Sequence, residues 1–333
     1  FPWSASLVMM SFGFFLFGLG AETSIVVLSK IVVKWFKGRE MALALGLNLA
    51  IGRLGSALAM NVTPKLTEPT WNFGIWVGAA LMVLGFVLYL VYIGFDFKLD
   101  AQINEAMEPE EEFRLAHLKE LVTDKSVLYI TALCVTFYSA IFPFLKYAPD
   151  LLMNKFGMER EIAGEVSSYL VFGTIFLTPL FGWITDTKGK TATLMYIGSA
   201  LLIVSHGLFA LTTVPPYLPL FTLGVAFSLV PAAMWPAVAK IVGDTRLGTA
   251  YGFMFSVQNL GLFVFPILIG KVLDASNPGV AAAKKAGEQV VYDYTNPMLV
   301  FAACGVAGLV FAFLLKREDK VSGYGLEQPN KQD

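Results

Sequence analysis

The sequence predicts an all-α polytopic membrane protein with nine membrane-spanning helices. Three observations predict it. Of 333 residues, 56% are hydrophobic and only 15% charged, against about 25% charged in a soluble globular protein. The apolar residues fall into nine continuous runs, each near the ~20 residues a helix needs to cross the hydrocarbon core. The runs do not alternate apolar with polar residues, so they read as helices and not as the strands of a membrane barrel.

The runs lie at 5–33, 41–63, 74–95, 127–145, 162–184, 191–211, 217–239, 248–270 and 297–315. Charged or turn-forming stretches bound them, such as "KWFKGRE", "TKGK" and "GDTRLG". Sorting the connections alternately gives two sets of unequal charge. Residues 34–40, 98–126, 185–190, 240–247 and the tail carry 15 Lys and Arg; residues 64–73, 146–161, 212–216 and 271–296 carry 7. Basic residues stay on the cytoplasmic side, so the first set is expected there and the chain is expected to start outside.

A net charge of −1 offers no basic surface for nucleic acid. Cys134 and Cys304 sit far apart in apolar runs and read as small hydrophobes, with no metal ligand set beside them. No nucleophile–base pair, metal cluster or phosphate-binding loop argues for an enzyme or a cofactor.

Residues 98–126 form a long charged stretch, partly an amphipathic helix around Phe113, Leu115, Leu118 and Leu121. Three spans precede it and six follow. Many transporters are two six-helix halves joined by such a linker. The expected organisation is therefore nine helices of twelve, the first three missing. Residues 1–97 would be the last three helices of an N-terminal half, 98–126 the linker, 127–316 the six-helix C-terminal half and 317–333 a cytoplasmic tail. A genuine nine-span protein is the alternative.

Between the fifth and sixth runs comes "GWITDTKGK", with Gly182, Asp186, Gly189 and Lys190. Glycine permits a tight turn. The carboxylate suits a helix N-terminus and the lysine a C-terminus. The bland reading is an ordinary helix–helix turn; the functional one is a cytoplasmic latch.

Ionisable residues within the runs are Glu22, Lys30, Arg53, Glu165 and His206. An intramembrane charge costs about 2.5–3.5 kcal/mol on insertion scales and normally faces a bundle interior or wet cavity. Lys30 can snorkel to an interface, and Glu165 lies near a span start. His206 suits either a hydrogen-bonded structural role or a proton relay. Glu22 and Arg53 lie 16 residues before and 15 after Gly38 on consecutive runs. At ~1.5 Å per residue both are expected about 23 Å from the turn, near the midplane. They read either as a buried ion pair or as a substrate site, Arg53 for a carboxylate and Glu22 for an ammonium.

The stretches "GLGAE", "KWFKGREMALALGLNLAIGRLGSALAMN", "AIFPF", "ITDTKGK" and "LGTAYGFMFSVQNLG" resemble the major facilitator superfamily and, within it, the lysosomal dipeptide transporter family of animals and its relatives. The resemblance covers residues 8 to 315. It implies a twelve-helix carrier of dipeptides working by alternating access. It implies that Glu22 and Arg53 line the peptide site, with Tyr138, Trp235, Tyr251, Gln258 and Asn259 as further cavity residues. Packing between helices is the equal alternative for Trp235 and Tyr251. The same resemblance implies the latch role of Gly182, Asp186, Gly189 and Lys190, and an accessory glycoprotein as partner. Phe14 replaces an arginine of the family pattern, and Leu28 and Ser29 replace a polar pair, which leaves coupling and the exact substrate open. These departures and the lack of a recognisable sorting tail favour a prokaryotic plasma-membrane relative over a lysosomal one.

The reading is a secondary transporter of small peptides in a lipid bilayer. Its rivals are a proton-coupled carrier of organic anions, nitrate or sugars, and a non-transporting receptor or scaffold on the same fold.

Overall fold

The computed structural model describes residues 7–36, 39–67, 71–103, 115–243, 246–288 and 290–330. Its elements are α1 (Leu7–Phe36), α2 (Met41–Thr67), α3 (Trp71–Ile103), α4 (Leu115–Thr123), α5 (Lys125–Phe156), α6 (Arg160–Lys188), α7 (Thr191–Leu211), α8 (Tyr217–Val242), α9 (Leu247–Ser276), α10 (Val280–Lys285) and α11 (Thr295–Ser322). Among the described residues there is no strand. Over the described residues, each predicted apolar run falls in its own long helix. Eight of these helices are long and apolar enough to span a membrane; α2 is apolar over Met41–Ser56.

The helices overrun the apolar windows. The stretch 146–161, expected to be a loop, is mostly the end of α5, and the connection shrinks to 157–159. The caps explain this. Asp124 accepts hydrogen bonds from the N–H groups of Ser126 and Val127 at 2.8 and 3.0 Å and starts α5. Gly157, at φ +64°, stops it, a left-handed conformation that glycine adopts without strain. Hydropathy marks the depth of hydrocarbon, whereas caps mark the end of the helix. Within the linker, α4 buries Leu121, 3% exposed. Phe113 lies outside the described residues, and so does the side chain of Leu115.

The chain forms two compact units, one of Phe1–Ile25 with Gly55–Glu112, the other of Val26–Leu54 with Phe113–Asp333. In the first, α3 dominates. Its most apolar window has mean hydropathy 2.3 and is 0% buried, a surface suited to lipid or to other helices and not to water.

In the second unit, α5 and α8 are the most enclosed spans, 67% and 78% buried over their apolar windows. Helix α7 packs on α8 and α11, α11 also on α5, α6 on α8, and α9 on α5. His206 is fully buried between the rings of Phe144 and Phe301, each 5.2 Å away. Its ring environment is aromatic packing.

Connections that the charge count put on one side meet at one end of this unit. Lys155 donates to the Phe209 carbonyl, the Tyr292 N–H donates to Asn154 at 2.9 Å, and the Tyr294 hydroxyl donates to Asp150. The basic connections gather at the other end, where Arg246 pairs with Glu120 at 2.6 Å.

Candidate functional site

Helices α2 and α6 cross at backbone contact. A Cβ on Gly46 would lie 2.9 Å from the Thr178 carbonyl oxygen, and one on Gly182 would lie 2.5 Å from that of Ala42. Only glycine fits at such a crossing. At Gly52, by contrast, an added Cβ meets nothing within 4 Å.

The crossing brings Arg53, two turns beyond Gly46, onto α6 and α8. Its Nη1 donates to Thr178 Oγ1 at 2.6 Å and its Nη2 donates to the Phe227 carbonyl at 3.0 Å. The guanidinium carbon stands 4.0 Å from the centroid of the Phe227 ring, within cation–π range. Thr178 and Phe227 are buried. Arg53 was legible from its charge; these two partners were not. The one local signal was Pro231, four residues beyond Phe227 on α8.

Around Phe227 the structure assembles several of the expected cavity residues. The Tyr138 ring meets Phe227 edge-on at 6.5 Å and stacks on Phe142 at 5.5 Å. Trp235 Nε1 donates to the Tyr138 hydroxyl at 3.3 Å. The Tyr251 hydroxyl donates to the Trp235 carbonyl at 3.0 Å, and Phe255 stacks on Trp235 at 4.5 Å. Gln258 is buried and accepts from the Cys134 thiol at 3.2 Å, one helical turn from Tyr138. Asn259 is half-buried on α9. Glu22 belongs to the other unit, and its side chain is exposed.

Asp186 caps α2 from across the unit. Its carboxylate accepts from the N–H groups of Ala42 and Leu43 at 2.9 and 2.7 Å. The first N–H groups of a helix have no partner within it, and the helix dipole favours an anion there. Gly189 and Lys190 complete the turn with φ of +66° and +61°. At Gly189 a Cβ would overlap the Gln328 backbone. The Lys190 side chain is exposed.

The segment after α11 lies over this turn. Asn330 Nδ2 donates to Asp186 Oδ1 at 3.0 Å, and the Asn330 N–H donates to the Asp186 carbonyl at 3.2 Å. The Glu327 carboxylate accepts from the N–H and hydroxyl of Thr193 at 2.9 and 2.7 Å. Lys240 Nζ donates to the carbonyls of Gly325 and Gln328 at 3.0 and 2.8 Å. Leu326 is fully buried beneath. Nothing in the composition of "GYGLEQPN" announced this strap.

Residues 1–266 match the Major Facilitator Superfamily. The chain is 32% identical over 279 residues to the lysosomal dipeptide transporter MFSD1 of Homo sapiens, covering 80% of this chain and 60% of that protein. It is 33% identical over 283 residues to the Mus musculus protein of that name, with the same coverage of 80% and 60%. A hexuronate transporter of Bacillus subtilis is 24% identical over 327 residues, 87% of this chain and 74% of that protein. The chain thus spans about 60% of the length of the MFSD1 relatives it matches.

Proposed function

We propose, since this chain belongs to the major facilitator superfamily, that it forms part of a secondary carrier moving short peptides, dipeptides being the simplest, by alternating access. It is an integral membrane protein, and its named relatives are transporters and not enzymes. Residues 1–97 serve as the last three helices of one half and 127–316 as the other half, with 98–126 as the linker.

The observation that carries the reading is Arg53, a guanidinium within a membrane-spanning helix, held against Thr178 and Phe227. Two of its five N–H donors are engaged there. Those left suit the carboxylate end of a peptide, which a guanidinium grips in bidentate fashion. The family resemblance gives Glu22 as the candidate for the peptide ammonium. Tyr138, Trp235, Tyr251, Gln258 and Asn259 enclose the backbone and side chains. Asp186 on the α2 N-terminus holds the cytoplasmic side shut while the opposite side exchanges substrate, and Gly182, Gly189 and Lys190 shape that latch. The similarity to MFSD1, a protein named for dipeptide transport, supports this class of cargo.

Uptake of a radiolabelled dipeptide by the full-length protein in liposomes tests the assignment. Arg53→Ala removes a charge-assisted contact of about 1.5–3 kcal/mol, so kcat/KM drops at least tenfold. Unchanged uptake overturns the role. A carrier of small organic anions is the second reading, favoured by the match to a hexuronate transporter. Thermal shifts with dipeptides, against single amino acids and monocarboxylates, separate the two.

A further inference from the structure

We infer that Pro231, through the Phe227 carbonyl it leaves free, and Thr178 are positioning residues that hold the Arg53 guanidinium and thereby set the preference for a substrate bearing a free carboxylate. The inference rests on the reading of Arg53 as the carboxylate site.

In an α-helix the carbonyl of residue i accepts from the N–H of residue i+4. Residue 231, four beyond Phe227, is a proline inside α8 and has no N–H to give. The Phe227 carbonyl is therefore the acceptor that this proline opens, in a buried stretch of the helix. A buried carbonyl without a partner is costly. Arg53 Nη2 supplies that partner at 3.0 Å.

Thr178, on α6, supplies the second acceptor: its side-chain Oγ1 accepts from Nη1 at 2.6 Å. Gly46 lets the α2 backbone touch α6 beside Thr178, which sets the distance at which Arg53 reaches over. The Phe227 ring covers one face of the guanidinium at 4.0 Å. An arginine side chain has much rotamer freedom to lose. Two fixed acceptors and a ring beneath the plane remove most of that freedom before a ligand arrives. What remains is an oriented edge with unused N–H donors. A carboxylate matches that edge; a carboxamide, which brings an NH₂ donor and no charge, does not.

The test compares transport of a dipeptide with that of its C-terminal amide by the full-length protein in liposomes. Thr178→Val removes the acceptor and keeps the shape. It should raise KM for the free acid about tenfold, leave kcat within about twofold, and leave the amide's KM unchanged. Thr178→Ser, which keeps a hydroxyl, should restore the distinction. Pro231→Ala returns an N–H that competes for the Phe227 carbonyl, and should narrow the acid-over-amide preference in the same direction. In an Arg53→Ala background neither change should narrow it further, because both act through the guanidinium. Equal KM changes for acid and amide in Thr178→Val and Pro231→Ala would overturn the inference while leaving Arg53 in place. An unaltered Arg53→Ala would sink the underlying reading, and this inference with it.

Discussion

Asp186 Oδ2 accepts a hydrogen bond from the N–H of Leu43 at 2.7 Å, joining residues 143 positions apart in the chain. The contact ties α6 to the first turn of α2. It uses an anion where the helix offers unpaired N–H groups and a positive dipole end.

Asp186→Ala should therefore loosen the α2 start. Loss of a capping side chain costs about 1 kcal/mol, and the drop should show as a lower Tm in detergent. Asp186→Asn keeps an acceptor without the charge and should fall between the two. A variant as stable as the parent would remove the latch from this residue.

Gly182→Ala should be worse than its size suggests. The new methyl would lie 2.5 Å from the Ala42 carbonyl oxygen and 2.9 Å from Leu43 Cα, both on backbone that cannot swing away. Overpacking of this kind costs about 1–3 kcal/mol. Gly52→Ala, with open space around it, serves as the control and should leave thermal unfolding within about 0.5 kcal/mol.

Removing the strap should weaken the latch without touching the span helices. Deleting residues 323–333 takes away the Asn330 bond to Asp186, the Glu327 bonds to Thr193 and the carbonyls that Lys240 holds. Single cysteines introduced near Ala42 should then react faster with water-soluble maleimide. An unchanged rate would show that Asp186 closes that end alone.

Cys134 and Cys304 are buried free thiols. Neither should be alkylated in the folded protein, and both should react together when it unfolds. Early labelling of Cys134 would mean that its contact with Gln258, and the packing around it, opens in the native state.

Asp293 lies outside the spans, and hydrogen bonds from Thr295 hold its carboxyl below the usual carboxylate range. A depressed native pKa stabilises the fold above the unfolded value, about 3.9 for Asp. That contribution is lost as pH falls through the lower native value. The Tm difference between the parent and Asp293→Asn should stay level from pH 8 to about pH 5 and shrink below about pH 4. A difference that changes between pH 8 and 6 would point to another group.

Much of this protein was legible along the chain. Nine apolar runs predicted the long helices, because hydrocarbon depth imposes a length on any helix that crosses it. Within the second unit, connections of each charge set meet at a common end. Arg53 stood out because a charge in an apolar run must have a reason, and Asp186 because its turn suited a helix N-terminus. The runs missed where helices end: α5 continues through Lys146, Asp150 and Asn154 to its cap at Gly157, since polar residues at the membrane boundary can still be helical.

The sequence by itself determined the class of fold, the number of long helices and which residues carry charge into the membrane. Only the tertiary structure decided what those residues touch. Arg53 meets Thr178 and Phe227, 125 and 174 positions away, and Asp186 meets both Ala42 and Asn330. The reason is physical. Hydropathy and periodicity act over one helix at a time. A hydrogen-bond partner depends on which helices cross, at what height and how closely, and here glycines at the α2–α6 crossing and a proline-freed carbonyl on α8 settle those distances.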